Sequence, residues 1–177
     1  ADILNHAVID YMLEARDISE YKVELMQENL DRCHLDKAKA VAWDALEPDE
    51  KWLGQADVVI ADIPCSGLGV IGRKRDIKYK MTPQAVQDIV ELQEKILKVA
   101  ASYVKKGGKL LFSTCTVNKD ENEAHVKWIQ DTLKMTPVSL NGTLPGLVHS
   151  PTTQQGFVQL IPGMQDTDGF FISVFEK

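Results

Sequence analysis

Val58-Val59-Ile60-Ala61-Asp62-Ile63-Pro64-Cys65-Ser66-Gly67-Leu68-Gly69 is the stretch on which the fold turns. Four apolar residues run unbroken into Asp62. The run is too short for a helix and predicts a strand buried on both faces, as in a parallel sheet. Pro64 then fixes the backbone and points its neighbours outward, while Gly67 and Gly69 let the loop approach a ligand closely. A turn around a small buried Cys65 is the plainer reading of the same residues.

Working outward, apolar runs and helical patterns alternate. Tyr11 to Arg16 predicts a strand ending at Asp17. Ser19 caps a helix through about Cys33, with Val23, Met26, Leu30 and Cys33 on one face. Ala38 to Trp43 reads as a strand ending at Asp44. Thr82-Pro83 opens a long helix whose apolar side carries Val86, Ile89, Val90, Ile96, Leu97 and Ala100, and Gly107-Gly108 should stop it. Leu110 to Ser113 is the next strand, and Glu121 to Leu133 the next helix. The chain is strand-like from Gly156 and ends on Phe170, Phe171, Ile172, Val174 and Phe175. Alternation of this kind predicts an α/β fold with helices covering a parallel sheet.

Open parallel sheets bind ligands beyond the carboxyl ends of their strands. Asp17, Asp44, Asp62 and Cys115 each sit at or just past such an end, so four polar residues far apart in sequence share one predicted rim. Asp17 is placed to hold ribose hydroxyls and Asp44 to accept from an adenine amino group. Either acid alone also fits a simple turn cap.

Composition narrows the class. With 177 residues, 44% hydrophobic and 26% charged, the chain is long and apolar enough for one core and is not disordered. No apolar run reaches the roughly 18 residues of a membrane span. A net charge of −6 argues against a surface that is basic throughout. Arg73, Lys74, Arg75, Lys78 and Lys80 nevertheless gather five cations within eight residues. They suit phosphates, or equally a solvated loop, and Tyr79 among them suits base stacking or packing on the protein.

The three cysteines, Cys33, Cys65 and Cys115, show no disulfide or zinc spacing. Free thiols suit a reducing cytoplasm, and no metal is expected. Cys115 ends an apolar strand within Ser113-Thr114-Cys115-Thr116, where it should reach the rim, although a packed Cys is the alternative. No histidine adjoins it; His125 falls on the following helix and is not read as a base, and His6, His34 and His149 have no partner pattern.

The motifs Asp62-Ile63-Pro64-Cys65-Ser66-Gly67, Arg73-Lys74-Arg75-Asp76-Ile77-Lys78, Gly107-Gly108, Thr114-Cys115-Thr116 and Glu121-Asn122 resemble the Sun/NOL/NOP family of RNA (cytosine-5)-methyltransferases. The resemblance covers nearly the whole chain, including Leu160-Ile161-Pro162-Gly163 and Asp168-Gly169-Phe170-Phe171. Paired Pro-Cys and Thr-Cys motifs in this order are specific. The resemblance implies a Rossmann-like class I fold dependent on S-adenosylmethionine, seven-stranded in the intact enzyme. It implies small-subunit ribosomal RNA as substrate. Cys115 would be the nucleophile, Cys65 the thiol needed for product release, and Asp62 would lie near the cofactor methyl end and the target base. Asp17, Asp44, Asp62 and Pro64 would form the cofactor side, and Arg73, Lys74, Arg75 and Lys78 the RNA side.

The family's glycine-rich Pro-x-Gly-Gly-Lys-Thr-like loop does not occur in this sequence. Residues 1–177 are therefore expected to be the C-terminal part of a catalytic domain truncated before that loop and its strand, without the N-terminal RNA-binding domain. Gly72 stands where a basic residue is common. Two other classes remain at this point. An amino-group methyltransferase would need Asn or Asp followed by Pro-Pro-aromatic, where this loop has Ile63 and Cys65. A non-catalytic RNA-binding module would not need both thiols.

Overall fold

The computed structural model describes residues 10–143 and 151–177. His6 and His149 lie outside the described residues. The chain divides into two compact units, one up to Pro48 and one from Asp49.

The first unit pairs β1 (Leu13–Asp17) with β2 (Ala38–Ala42) in parallel, with Asp17 opposite Ala42. Strand β1 starts two residues later than the sequence suggests, because pairing begins at Leu13 opposite Ala38. Helix α1 (Glu20–Arg32) connects the strands. Ser19 caps it, accepting from the Lys22 amide at 3.5 Å. The expected stripe is correct: Val23, Met26, Leu30 and Cys33 are half-buried, while most of the other helix residues are exposed.

The second unit holds a five-stranded sheet. Its strands are β3 (Ala56–Asp62), β4 (Val104–Thr114), β5 (Thr136–Pro137), β6 (Phe157–Leu160) and β7 (Phe170–Glu176). β3 and β4 run parallel, with Asp62 opposite Ser113. The short helix α2 (Ile77–Lys80) and the long helix α3 (Pro83–Tyr103) form the crossover between them, as parallel pairing requires. Thr82 caps α3, its hydroxyl accepting from the Ala85 amide at 3.1 Å, with Pro83 in the first turn. Such a cap contributes about 1 kcal/mol.

The core lies between α3 and the sheet. Ile96, Leu97, Ala100 and Ala101 from the helix meet Val104, Leu110, Phe112, Phe171 and Phe175 from the strands. Burying each large apolar side chain stabilises the unit by about 1.5–3 kcal/mol. The sheet is mixed, which differs from the all-parallel expectation. β7 is antiparallel to β4, and β5 and β6 are antiparallel to β7. Among the described residues no helix separates β6 from β7, so the chain simply turns back.

Two further expectations need correction. Gly107-Gly108 does not stop the helix. α3 ends at Tyr103 and the glycines lie inside β4, where the β3–β4 register shifts between Ala56 and Val58. A Cβ on Gly108 would stand 2.9 Å from the Asp57 carbonyl oxygen, so only glycine allows the strands to approach there. The other concerns β3, which is not buried on both faces: Val58 and Ile60 are 58% and 69% exposed, while Ala61 is buried. Among the described residues β3 pairs along one edge only, with β4. Helix α4 (Glu123–Trp128) continues into a π turn over Ile129–Leu133, so the expected helix is present but starts after Glu121.

Candidate active site

The parallel register of β3 and β4 brings two loops together at the carboxyl ends of the strands. Ser113 donates its hydroxyl to Asp62 at 3.0 Å, leaving the carboxylate exposed at the strand end. The Ile63 amide donates to the Ser113 carbonyl at 3.4 Å and extends the pairing into the loop. Beyond it, the Cys65 and Cys115 sulfurs lie 3.3 Å apart, both thiols free and half-buried. The two cysteines are fifty positions apart in the chain, and the strand pairing brings them into contact.

Burial, with the Cys115 sulfur beside it, pushes the Cys65 thiol up to about 12. Cys65 therefore keeps its proton at neutral pH and can donate it in a hydrogen bond to Cys115.

A buried polar cluster lies beneath the sulfurs. Glu121 is fully buried. Its carboxylate accepts the Ser66 amide at 2.8 Å, the Ser66 hydroxyl at 2.5 Å and the Gln93 side-chain amide at 3.1 Å. The same Gln93 amide donates to the Pro64 carbonyl at 2.8 Å. The Ser66 and Thr116 hydroxyls are 2.8 Å apart. A second buried group holds the other side of Cys115. Asn122 accepts from Thr114 at 2.7 Å and donates to the Thr116 carbonyl at 3.0 Å and to Gln159 at 2.7 Å. Burying an unpartnered carboxylate would be prohibitive, so these donors are obligatory.

Glycines close the loop over the strand end. The Gly69 amide donates to the Cys115 carbonyl at 3.1 Å, and the Gly169 amide to the Gly69 carbonyl at 2.8 Å. His125 is no base for either thiol. Burial lowers its pKa, its Nδ1 lies 3.1 Å from the Asp120 carbonyl, and its ring packs on Phe112 and Trp128.

In the first unit, Asp17 and Asp44 lie at the same end of the β1–β2 pair. Both make turn-cap bonds. Asp17 accepts the Ser19 amide at 2.9 Å and the Lys22 ammonium at 3.1 Å, and the Ser19 bond above all holds its carboxyl below the usual range. Asp44 accepts the Leu46 amide at 2.9 Å. Each oxygen retains a second lone pair, so capping does not use up either carboxylate.

The cations of the basic segment are all exposed, and part of their charge is offset. Arg73 pairs with Asp168 at 2.9 Å and Lys80 with Asp76 at 2.7 Å. The Lys78 ammonium sits 4.7 Å from the centre of the Tyr79 ring. The sequence reading missed both pairings. Among the described residues no group of three or more His, Cys, Asp or Glu side chains could hold a metal ion.

A family described as 16S rRNA methyltransferase RsmB/F matches residues 4–176. The chain belongs to this family. It is 39% identical over 164 residues to the probable ribosomal RNA small subunit methyltransferase B of Bacillus subtilis (strain 168), covering 91% of this chain and 36% of that protein. To ribosomal RNA small subunit methyltransferase F of Escherichia coli O7:K1 it is 28% identical, covering 92% of this chain and 34% of that protein. The chain thus spans about a third of the length of these curated relatives.

Two solved structures agree in fold. A methyltransferase homologue from Pyrococcus horikoshii superposes with a TM-score of 0.76 at 26% identity, covering 95% of this chain and 54% of that one. NSun6 from Pyrococcus horikoshii with SFG gives 0.73 at 25% identity, covering 94% and 41%. The resemblance drawn from the paired Cys motifs is thereby borne out, as is the Rossmann-like methyltransferase fold.

The sequence reading did not single out Ser66, Gln93 or Thr116, and it met Glu121 and Asn122 only within a motif. Gln93 did leave a trace: it falls on the same helix stripe as Ile89, Ile96, Leu97 and Ala100, where a polar residue is out of place.

Gly69 gives a direct test of this packing. An added Cβ would collide with the Gly169 carbonyl oxygen and stand 2.8 Å from the Cys115 carbonyl oxygen, both backbone atoms. Gly69→Ala should therefore destabilise the fold by about 1–3 kcal/mol or more in a denaturant melt. Gly72→Ala, with no atom within 4 Å of its Cβ, is the matched control and should be near neutral. Equal stabilities for the two variants would contradict the close approach.

Proposed function

We propose that this chain is the C-terminal part of the catalytic domain of an S-adenosylmethionine-dependent RNA (cytosine-5)-methyltransferase acting on small-subunit ribosomal RNA. The observation that carries the reading is the 3.3 Å approach of two free thiols beside an exposed aspartate at the ends of parallel strands. Family membership supports the reaction class, and the names of the relatives support the substrate.

Carbon 5 of cytosine is a poor nucleophile within an aromatic ring. The Cys115 thiolate adds to carbon 6, breaks the aromaticity and makes carbon 5 enamine-like, so covalent catalysis divides one hard step into easier ones. As Cys115 adds, ring nitrogen 3 takes up the proton that the thiol gives up, and the resulting N–H and the amino group donate to the Asp62 carboxylate, stabilising the adduct. S-adenosylmethionine supplies the methyl group that carbon 5 takes up. The family resemblance implies Asp17 and Asp44 for its nucleoside end and, separately, Asp62 and Pro64 for its methyl end. Their carboxylates suit hydroxyl and amino donors, and the side chain of Asp17 is 26% exposed, so it can be reached.

Carbon 5 must then lose its proton before the carbon–sulfur bond breaks and Cys115 leaves. Adduct formation consumes the charge on Cys115, which is one cause of the raised Cys65 pKa. Burial remains, but Cys65 becomes easier to ionise at the stage when a base is needed. Cys65 would then pass its own proton to solvent, and its thiolate would take the proton that leaves carbon 5.

RNA would meet Lys74, Arg75 and Lys78, with Arg73 contributing less because Asp168 already pairs with it. Three free thiols suit work in the reducing cytoplasm. Among the described residues no helix is long and apolar enough to cross a membrane.

The two thiols should fail differently when removed from the full-length protein. Cys115→Ala should abolish methylation and form no covalent RNA species. Cys65→Ala should form the adduct and accumulate it, visible as a slow-migrating band on a denaturing gel. Unchanged turnover in Cys65→Ala, or an adduct in Cys115→Ala, would sink the assignment.

For RNA binding, the full-length Lys74→Glu/Arg75→Glu variant should hold RNA more weakly. Its affinity should also fall less steeply with salt, by about one unit of slope for each phosphate that is no longer neutralised. An unaltered slope in an RNA titration would place the RNA elsewhere.

A further inference from the structure

We propose that Glu121 is a positioning residue that sets the separation of the two thiols. Its carboxylate ties Ser66, beside Cys65, to Thr116, beside Cys115. The proposal rests on the reading above for why the separation matters, but the claim about geometry stands apart from it.

Glu121 follows β4 by seven positions and precedes α4, at a place where an acid would ordinarily face water and the helix N-terminus. Here it is 0% exposed. Its donors come from two elements. The Cys65 loop offers the Ser66 amide at 2.8 Å and hydroxyl at 2.5 Å, and α3 offers Gln93 at 3.1 Å. Thr116 completes the bridge, its hydroxyl 2.8 Å from that of Ser66 and 3.5 Å from the carboxylate. Gln93 extends the bridge to the Pro64 carbonyl. The residues on both sides of Cys65 and the residue after Cys115 are therefore bound into one network. The two sulfurs have to act on adjacent atoms of one ring, carbon 6 and carbon 5, and a misplacement of about 1 Å in such a constellation costs roughly a hundred-fold in rate.

The donor pattern separates position from charge. Oε2 accepts from two groups that can only donate, the Ser66 amide and the Gln93 amide. Oε1 faces hydroxyls, which can reverse. Glutamine fits this site: its oxygen takes the Oε2 place, and its amino group donates to the Ser66 hydroxyl, which turns its proton toward Thr116. Alanine fits nothing and leaves the Ser66 and Gln93 N–H groups unpartnered.

The test uses the full-length protein and reads thiol geometry without methyl transfer. Diamide takes up the protons and electrons of two adjacent thiols and leaves a disulfide. The product is counted by mass spectrometry as peptide Trp52–Arg73 linked to Leu110–Lys119. Glu121→Gln should cross-link at the wild-type rate, and Glu121→Ala about ten-fold slower or less. The rate of adduct formation with 5-fluorocytosine RNA should fall in the same order, with the cofactor KM little changed. If Glu121→Ala does not fold, the near-isosteric pair Ser66→Ala/Thr116→Val removes the hydroxyl bridge and should also slow cross-linking. Wild-type cross-linking in Glu121→Ala or in that pair overturns the proposal, as does a Glu121→Gln variant as slow as Glu121→Ala. Failure of the cysteine roles would instead appear in the adducts of the cysteine variants, with cross-linking intact.

Discussion

A carboxylate sealed from water must find donors, and at Glu121 that requirement gathers the parts of the site. The Pro-Cys loop, the middle of α3 and the segment just after β4 all converge on it. None of these segments is held there by apolar burial alone. Ser66 and Thr116 are small and polar, and both are buried because a partner is waiting. The site is thus a polar core set beside the hydrophobic one, with α3 contributing Leu97 to the latter and Gln93 to the former. Networks of this type fix one geometry, because a half-satisfied version is worse than none.

The sheet supplies the coarse alignment that the network refines. Parallel pairing puts Asp62 level with Ser113, so the loops that follow leave from the same height. The antiparallel β7 covers the far side of β4 and returns Gly169 to Gly69, closing the Cys115 strand end from above. Asn122 and Gln159 hold the Thr114–Thr116 segment from the other flank. Chemistry needs a reactive sulfur that is reachable yet fixed, and half-buried thiols between hydrogen-bonded neighbours meet both demands.

Strand ends were legible because an apolar run that stops at Asp or Cys marks both the strand and its rim. The cap at Ser19, the helix opening at Thr82-Pro83 and the reach of Cys115 to the rim followed from local rules of this kind. Long-range facts were not legible. Nothing near Glu121 in sequence says that its partners are Ser66 and Gln93, fifty-five and twenty-eight positions away. Gly107-Gly108 misled because a glycine pair serves equally as a helix stop or as a close approach of strands, and only the neighbour Asp57 decides. Val58 and Ile60 misled because an apolar run reports propensity, not what covers it. Opposite charges cancelling across the fold, as Asp168 does to Arg73, are likewise invisible in a list of cations.

The two thiols are partners with separate duties in the proposed reaction, one attacking and one holding a proton until late. Burial and the neighbouring sulfur keep Cys65 protonated, which suits the late duty. The most direct measurement uses the unmutated full-length protein with 5-fluorocytosine RNA and S-adenosylmethionine. The trapped complex is digested with nuclease and trypsin, and the modified peptide is sequenced by mass spectrometry. The base should be found on Cys115, in the peptide Leu110–Lys119. A base attached to Cys65, in Trp52–Arg73, would exchange the two roles and contradict the account.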